Sequence, residues 1–145
     1  MMNHLLKLGL YGLGLSAILI GGSIALFGSH SVVTFFENAL SIFYVSSPTT
    51  DLASPNVDSE LRFYSVMFVF YGGVLVQTAR NLELYSARVP LLLAVFFLAG
   101  VARLLGCVFV GVPQMLFLIL MVIELTLPVI LFICWLLRKP RNKVQ

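Results

Sequence analysis

Four long apolar runs, separated by shorter polar stretches, dominate the pattern of this sequence. They cover about residues 5–27, 60–80, 89–110 and 114–137. A helix needs about 20 apolar residues to cross the roughly 30 Å hydrocarbon core of a membrane, and each run reaches that length. Backbone polar groups must be satisfied within the segment in lipid, so we predict transmembrane α-helices. The expected fold class is therefore all-α, a polytopic membrane protein whose antiparallel four-helix bundle forms one domain over residues 1–145.

The first run has two interpretations. Its short head with Lys7 and a possible cleavage site ending at Ala25 are compatible with a secretory signal peptide. We favour an uncleaved span, because the run is longer than a usual signal core. In addition, Ala17, Gly21 and Ala25 recur every four positions. That spacing of small residues lets two helices approach closely in lipid.

The loop of residues 28–59 begins with an amphipathic pattern. From Ser31 to Val45 the sequence places apolar and polar residues on opposite helical faces, which predicts a short helix at the membrane interface. The apolar face would hold Val33, Phe36, Leu40 and Phe43, and the polar face Thr34, Glu37, Asn38 and Ser41. We favour an interfacial anchor over a lid. The remainder, SSPTTDLASPNVDS, should be irregular, with Asp58 or Ser59 as the cap of the second span.

Composition supports the assignment to lipid. Hydrophobic residues make up 60% of the 145 residues and charged residues 10%, and the mean hydropathy is +1.04. A soluble globular domain has about 25% charged residues. The chain is too short for a large soluble domain in addition to four spans, so a single compact bundle is expected.

The net charge of +3 reflects where the basic residues lie. Arg138, Lys139, Arg141 and Lys143 follow the last span, whereas the 28–59 loop and the Gly111 turn contain no Lys or Arg. We interpret this asymmetry as a topology signal and expect no nucleic-acid partner. Because basic loops remain in the cytoplasm, both termini are predicted to be cytoplasmic.

Two ionisable residues, Arg103 and Glu124, lie deep within the third and fourth runs. A charge at the bilayer centre costs about 2.5–3.5 kcal/mol even on the insertion scale, so it normally has a partner or a function. The turn that includes Gly111 and Pro113 folds these spans back on each other. Arg103 lies eight positions before Gly111 and Glu124 eleven after Pro113. At ~1.5 Å per residue they lie about 12 and 16 Å below the turn, which predicts an ion pair.

The second span carries further polar candidates. Glu60, Tyr64 and Tyr71 share one helical face, and Arg62 points about 200° around the helix from Glu60. The group could be an interfacial anchor belt. Alternatively, Glu60 and Tyr64 could turn inward and meet Arg103.

Pro128 follows Glu124 by four positions in the fourth span. Proline has no N–H, so the Glu124 carbonyl loses its helical donor. The freed carbonyl and the carboxylate could form a polar pocket wall. The alternative is a kink whose polar groups are satisfied by a neighbouring helix.

The sequence contains no recognisable metal-binding or cofactor-binding motif. His4 and His30 are predicted on opposite sides of the membrane, so we expect no metal site and no cofactor. Cys107 and Cys134 fall near opposite ends of neighbouring antiparallel spans, and we expect free thiols.

A set of motifs over nearly the whole chain resembles the bacterial membrane family known as domain of unknown function 4345. The motifs are Glu60-Leu61-Arg62, Gly72-Gly73, Gly100 with Arg103, the Gly111-x-Pro113 turn and Glu124. The resemblance implies a multi-pass protein of the bacterial cytoplasmic (inner) membrane. It marks Glu60, Arg62, Arg103, Gly111, Pro113 and Glu124 as family positions, and it supplies no reaction.

Three classes of function fit these residues. We favour a non-enzymatic bundle that binds a small amphipathic, lipid-like molecule or a partner membrane protein, with membrane lipid and a second copy as further partners. A small proton-coupled multidrug-type transporter is an alternative, although Arg103 beside Glu124 argues against a lone titratable carboxylate. The third is a membrane enzyme that uses Glu124, Arg103 and Tyr64 on a lipid-soluble substrate.

Overall fold

A computed structural model of the chain describes residues 2–41 and 50–138, and these ranges are helical with no strand. The α-helices are α1 (Met2–Phe27), α2 (Ser29–Leu40), α3 (Pro55–Arg80), α4 (Leu82–Tyr85), α5 (Val89–Phe109) and α6 (Met115–Leu136). Short 3-10 turns occupy Thr50–Ala53 and Ser86–Arg88. Helices α1, α3 and α6 and the α4–α5 segment are long and apolar enough to cross a membrane. The predicted all-α, multi-pass bundle is confirmed.

The bundle has two distinct ends. One end, called here the α2 end, holds α2 and the turn between α5 and α6. The other, called here the terminal end, holds the start of α1, the end of α6 and the connection between α3 and α5. A hydrogen bond from Trp135 Nε1 to the carbonyl oxygen of Ser86, 3.0 Å long, ties α6 to that connection.

Helices α1 and α3 form the most extensive pair. Glycines allow their backbones to approach closely, since a Cβ added at Gly72 would lie 2.6 Å from the carbonyl oxygen of Gly14. At the next contact towards the α2 end, a Cβ on Gly21 would lie 2.8 Å from the Ser65 carbonyl oxygen. From the first contact to the second, the residue number increases in α1, from 14 to 21, and decreases in α3, from 72 to 65, so the two helices are antiparallel. Such contacts between small residues stabilise helix pairs in lipid through close packing.

Helices α5 and α6 form the second antiparallel pair. Their connection, residues 110–114, includes Gly111 at a φ of 129°, a conformation that side-chain-bearing residues rarely adopt. The helices approach closely at Gly100, where an added Cβ would lie 3.0 Å from the Cβ of Glu124. Further towards the turn, the sulfur atoms of Cys107 and Met121 are 3.8 Å apart. Cys107 and Cys134 are both free thiols.

The two pairs meet mainly in the terminal half of the bundle. The buried core there joins all four long helices, with Leu10 from α1, Leu75 from α3, Phe96 from α5 and Leu131 from α6. The Tyr71 hydroxyl donates a 2.6 Å hydrogen bond to the carbonyl oxygen of Leu92, which links α3 to α5. This core leaves the α2 half of the α5–α6 pair much less covered by protein.

Two local expectations are wrong. Helix α3 begins at Pro55 with Ser54 as its N-cap, not after a cap at Asp58 or Ser59, because proline fits the first helical turn. The short helix expected in the loop is present as α2, but Glu37, which was expected on its polar face, is buried with Val33, while Phe36 is exposed. Oε1 of Glu37 has no hydrogen-bond partner within the described ranges.

The orientation of α2 follows from its first residues. Gly28, at a φ of 84°, forms the corner between α1 and α2. The backbone N–H of Ser29 donates to Asp58 Oδ1 over 3.3 Å, which ties the start of α2 to α3. This hydrogen bond constrains the start of α2 against α3. The predicted helical residues 42–45 and the following residues 46–49 lie outside the described ranges.

Candidate functional site

The Arg103–Glu124 ion pair is the main polar feature within the apolar spans. Nε of Arg103 donates to Oε2 of Glu124 over 2.8 Å, which confirms the pairing predicted from the turn. Gly100 makes this contact possible, because it brings α6 against α5 one turn before Arg103. The partners differ in exposure: the Glu124 side chain is 9% exposed and that of Arg103 is 39% exposed. The pair is therefore open on its arginine side.

The helix directions hold this pair inside the hydrocarbon region. Side chains lean towards the N-terminus of their own helix, so Arg103 leans towards the terminal end and Glu124 towards the α2 end. The two side chains meet between the depths of their Cα atoms, about 12–16 Å below the turn. A lone arginine would extend towards the headgroups. The bond to Glu124 opposes that extension, and the cation stays deep.

The guanidinium of Arg103 has unused hydrogen-bonding capacity. Its Nε and both Nη atoms carry N–H donors. Within the described part of the chain, only the Nε donor has an acceptor from the protein. Cζ lies 5.8 Å from the centroid of the Phe117 ring, which covers one side of the cation. Glu124 follows Phe117 by seven residues on the same face of α6. The two Nη atoms are thus left for an external acceptor.

An intramembrane opening lies next to this pair; we use that name for the region between α3 and α5 on the α2 side of the Tyr71–Leu92 contact. Tyr64 is seven residues from Tyr71 and therefore on the same face of α3, yet Tyr64 is 59% exposed. On α5, Arg103 is eleven residues from Leu92 and also on the same face. Between residues 101 and 123, all described, Leu116 alone is buried. The helices that touch at Tyr71 are therefore not packed together at Tyr64.

Other polar side chains in the spans are satisfied locally. The hydroxyls of Ser16, Thr78 and Thr126 each donate to the carbonyl oxygen four residues earlier, at 2.7–2.8 Å. Such bonds within one helix are the usual way to satisfy a hydroxyl in an apolar environment. These residues offer no free donor to a ligand. Arg103 differs from them, because its exposed Nη donors have no acceptor within the described part of the chain.

Arg62 belongs to a separate structure at the α2 end. Its Nε donates to Asp58 Oδ2 over 2.7 Å, and Nη1 donates to the carbonyl oxygen of Ala25 over 2.7 Å. The arginine therefore satisfies the last turn of α1, where helix carbonyls lack backbone partners. Gly28 is favoured at this corner by its positive φ of 84°, and an added Cβ would also displace Arg62 Nη2, which would lie 2.8 Å away.

Four of the candidate residues of the sequence analysis make polar contacts, in three separate places. Arg103 and Glu124 form the ion pair, Arg62 holds the α1–α2 corner, and Tyr71 links α3 to α5. Glu60 and Tyr64 are exposed, and the ion pairs within the described ranges do not include Glu60. Gly111 and Pro113 form the turn, and Pro128 is buried inside α6 without ending it. The described residues contain no group of three His, Cys, Asp or Glu side chains that could hold a metal.

Sequence reasoning missed the role of Asp58, which pairs with Arg62 and anchors Ser29. Its signal was the spacing of four between Asp58 and Arg62, which puts opposite charges on one helical face. The significance of Gly28 was also missed. Its signal was a glycine between two predicted helices, the usual residue where backbone φ is positive.

The fold and this site define a multi-pass membrane protein with four long apolar helices. More particularly, the chain belongs to the family described as Domain of unknown function (DUF4345), which matches residues 5–136. The match covers all four long helices and includes Arg103 and Glu124. No curated protein and no solved structure matches the chain significantly.

Proposed function

We propose that this membrane protein binds a small amphipathic, lipid-like molecule from within the membrane, with the polar head of the ligand at Arg103. The observation that carries the proposal is the exposure of Arg103, whose side chain is 39% exposed although it is paired at membrane depth. Donors left against hydrocarbon cost several kcal/mol. A ligand that brings acceptors to this position removes that cost.

The intramembrane opening supports a ligand with an apolar tail. Its α3 side carries Tyr64 and Met67, which are 59% and 54% exposed. On the other side, Ala99 lies four residues before Arg103 on the same face of α5 and is also exposed. An amphipathic molecule entering sideways from the bilayer would contact apolar side chains along its tail and a single arginine at its head. This arrangement is typical of small-molecule sites, which combine apolar walls with a few polar groups.

The first test is to purify the protein in native lipid with a membrane-solubilising polymer and to identify co-purified small molecules by mass spectrometry. We compare wild type with Arg103→Met/Glu124→Leu, in which the polar pair is replaced by apolar side chains of similar size. Arg88→Met is the matched control, because Arg88 lies at the terminal end over the Tyr85 ring. We expect wild type and the control to retain a molecule that the double variant loses by about tenfold or more.

A density map of the wild-type protein provides an independent measurement. Density of a small amphipathic molecule reaching Arg103 would agree with the proposal. If wild type and the double variant retain the same molecules in the same amounts, the proposal is wrong. A partner membrane protein or a second copy covering Arg103 in the map would also overturn it, and would assign the exposed face to a protein contact.

We further propose that the protein resides in a bacterial inner membrane with both termini in the cytoplasm. The distribution of basic residues supports this orientation, because Lys7, Arg80 and Arg88 are at the terminal end. Fusion of green fluorescent protein to the C-terminus should give fluorescent cells, since that reporter folds in the cytoplasm. A C-terminal alkaline phosphatase fusion should be inactive, and an active one would reverse the orientation.

A further inference from the structure

We propose that the head group received at Arg103 is an uncharged hydrogen-bond acceptor, such as the carbonyl of a lipid-soluble quinone, ketone or ester, and not an anion. The inference rests on the proposed function and specifies the chemical class of its ligand. It follows from three features of the site: the charge balance of the pair, the depth of the guanidinium, and the donors that Glu124 leaves unused.

The first feature is charge balance. Arg103 and Glu124 are in direct contact at 2.8 Å, so the pair has no net charge. An anion at Arg103 would leave one uncompensated negative charge at membrane depth. In the described ranges, the remaining cations of the long helices lie elsewhere, since Arg62 bonds to Asp58 and Lys7 and Arg80 lie at the terminal end. A neutral acceptor avoids this cost, because it accepts from the guanidinium without adding charge.

The second feature is depth. The guanidinium is held by Glu124 about 12–16 Å below the turn, well inside the hydrocarbon region. Phosphate and carboxylate head groups of ordinary lipids lie at the interface, where water solvates them. Such a group would have to lose its hydration in order to reach Arg103. A carbonyl on an apolar molecule loses much less hydration and can occupy the same depth.

The third feature is the geometry of the available donors. The guanidinium is planar with a fixed fork of N–H groups, and its Nε is already committed to Glu124. The Nη atoms therefore form an edge that can donate to the lone pairs of a carbonyl oxygen. Phe117, whose ring centroid is 5.8 Å from Cζ, covers one side of the guanidinium, which leaves this edge as the direction from which an acceptor can approach. Glu124 acts here as a positioning residue that orients the edge.

The experiment measures binding of two probes with the same tail in nanodiscs of phosphatidylcholine, a lipid with no net charge. The probes are a decyl-substituted benzoquinone and decanesulfonate, which stays anionic at any working pH. They are compared at equal membrane concentration, by native mass spectrometry and by the shift in the thermal unfolding midpoint. We expect wild type to prefer the quinone by about tenfold or more.

The variant that separates charge from structure is Glu124→Gln. Glutamine keeps an oxygen acceptor for Arg103 but removes the negative charge, so the site becomes cationic. We expect the preference to invert, with the sulfonate binding more tightly than the quinone. Arg88→Met should behave as wild type, and Arg103→Met/Glu124→Leu should lose both probes. A purely structural role for Glu124 would not change the order of the two probes.

The outcomes distinguish the two proposals. If wild type prefers the sulfonate, or if Glu124→Gln folds without inverting the order, the neutral head group is wrong while the binding site remains. If neither probe binds wild type better than it binds the double variant, the proposed function itself fails. Should Glu124→Gln not fold, the wild-type preference measured against Arg88→Met and the double variant decides.

Discussion

Replacing Glu124 with leucine should cause the largest loss of folded protein among variants of the ion pair, and adding Arg103→Met should recover most of that loss. Glu124→Leu leaves a cation that cannot be deprotonated inside the membrane, at a cost of about 2.5–3.5 kcal/mol. Arg103→Met leaves a buried carboxylate, which can take up a proton and become neutral, so its effect should be smaller. With both residues apolar, neither cost remains.

The measurement is the yield of monodisperse protein after size-exclusion chromatography, together with the thermal unfolding midpoint in the same detergent. Arg88→Met again serves as the control for loss of an arginine, and it should match wild type. Energetic coupling between the two sites is then obtained from the double-mutant cycle. If the effects of the single changes simply add in the double variant, the 2.8 Å contact does not stabilise the folded state as a pair.

The ion pair was predictable because the depth of each residue can be estimated from its number of residues to the same turn. Arg103 and Glu124 flank the Gly111 turn, and the rise per residue of a helix converts sequence distance directly into depth. Similar logic predicted the four spans, since length and hydropathy decide whether a helix can cross a membrane. Neither prediction requires knowledge of how the helix pairs are arranged in space.

The intramembrane opening could not be predicted in this way. In a membrane protein, apolar side chains face both lipid and protein, so hydropathy does not identify which faces are buried. Tyr64 and Tyr71 illustrate the difficulty: they are the same residue type on the same face of α3, yet Tyr71 bonds to Leu92 and Tyr64 is 59% exposed. The difference depends on where the two helix pairs meet, which is determined by contacts between residues distant in sequence.

The contacts at the α1–α2 corner could not be predicted from the sequence for a related reason. From the sequence, Arg62 could belong to an interfacial anchor belt and has no predicted partner, whereas in the structure its partners are Asp58 and a backbone carbonyl of α1. Carbonyl groups are present at every residue, so the sequence does not reveal which of them a side chain will reach. The burial of Glu37 was not predictable either, because the pattern of apolar and polar residues in α2 does not show how Gly28 and Ser29 attach this helix to its neighbours.

Rigidity of the α1–α3 pair matters for the proposed binding function, since α3 provides one side of the intramembrane opening. If α3 shifted relative to α1, Tyr64 and Met67 would move relative to Arg103. Close backbone contact at Gly14 and Gly72 opposes such a shift, because interfaces packed at this density resist small displacements. The stability of this contact is therefore linked to the shape of the proposed binding site.

Gly72→Ala should destabilise the protein strongly, whereas Gly73→Ala should be neutral or stabilising. An added Cβ at Gly72 would lie 2.6 Å from the Gly14 carbonyl oxygen and 3.0 Å from the Cβ of Ala17, so the helices must separate. Overpacking of this kind costs about 1–3 kcal/mol. At Gly73 nothing lies within 4 Å of the added atom. There the change should gain up to about 1 kcal/mol from helix propensity.

Gly73→Ala is the matched control for Gly72→Ala, because both substitutions add the same atom to the same helix one residue apart. Thermal unfolding midpoints in one detergent should place Gly72→Ala below wild type and Gly73→Ala at or above it. Gly14→Ala should resemble Gly72→Ala, since its Cβ would lie 2.8 Å from the Gly72 carbonyl oxygen. Equal midpoints for the two α3 variants would mean that α1 and α3 do not approach this closely. The contact between Gly14 and Gly72 would then not be what holds α3 in position relative to Arg103.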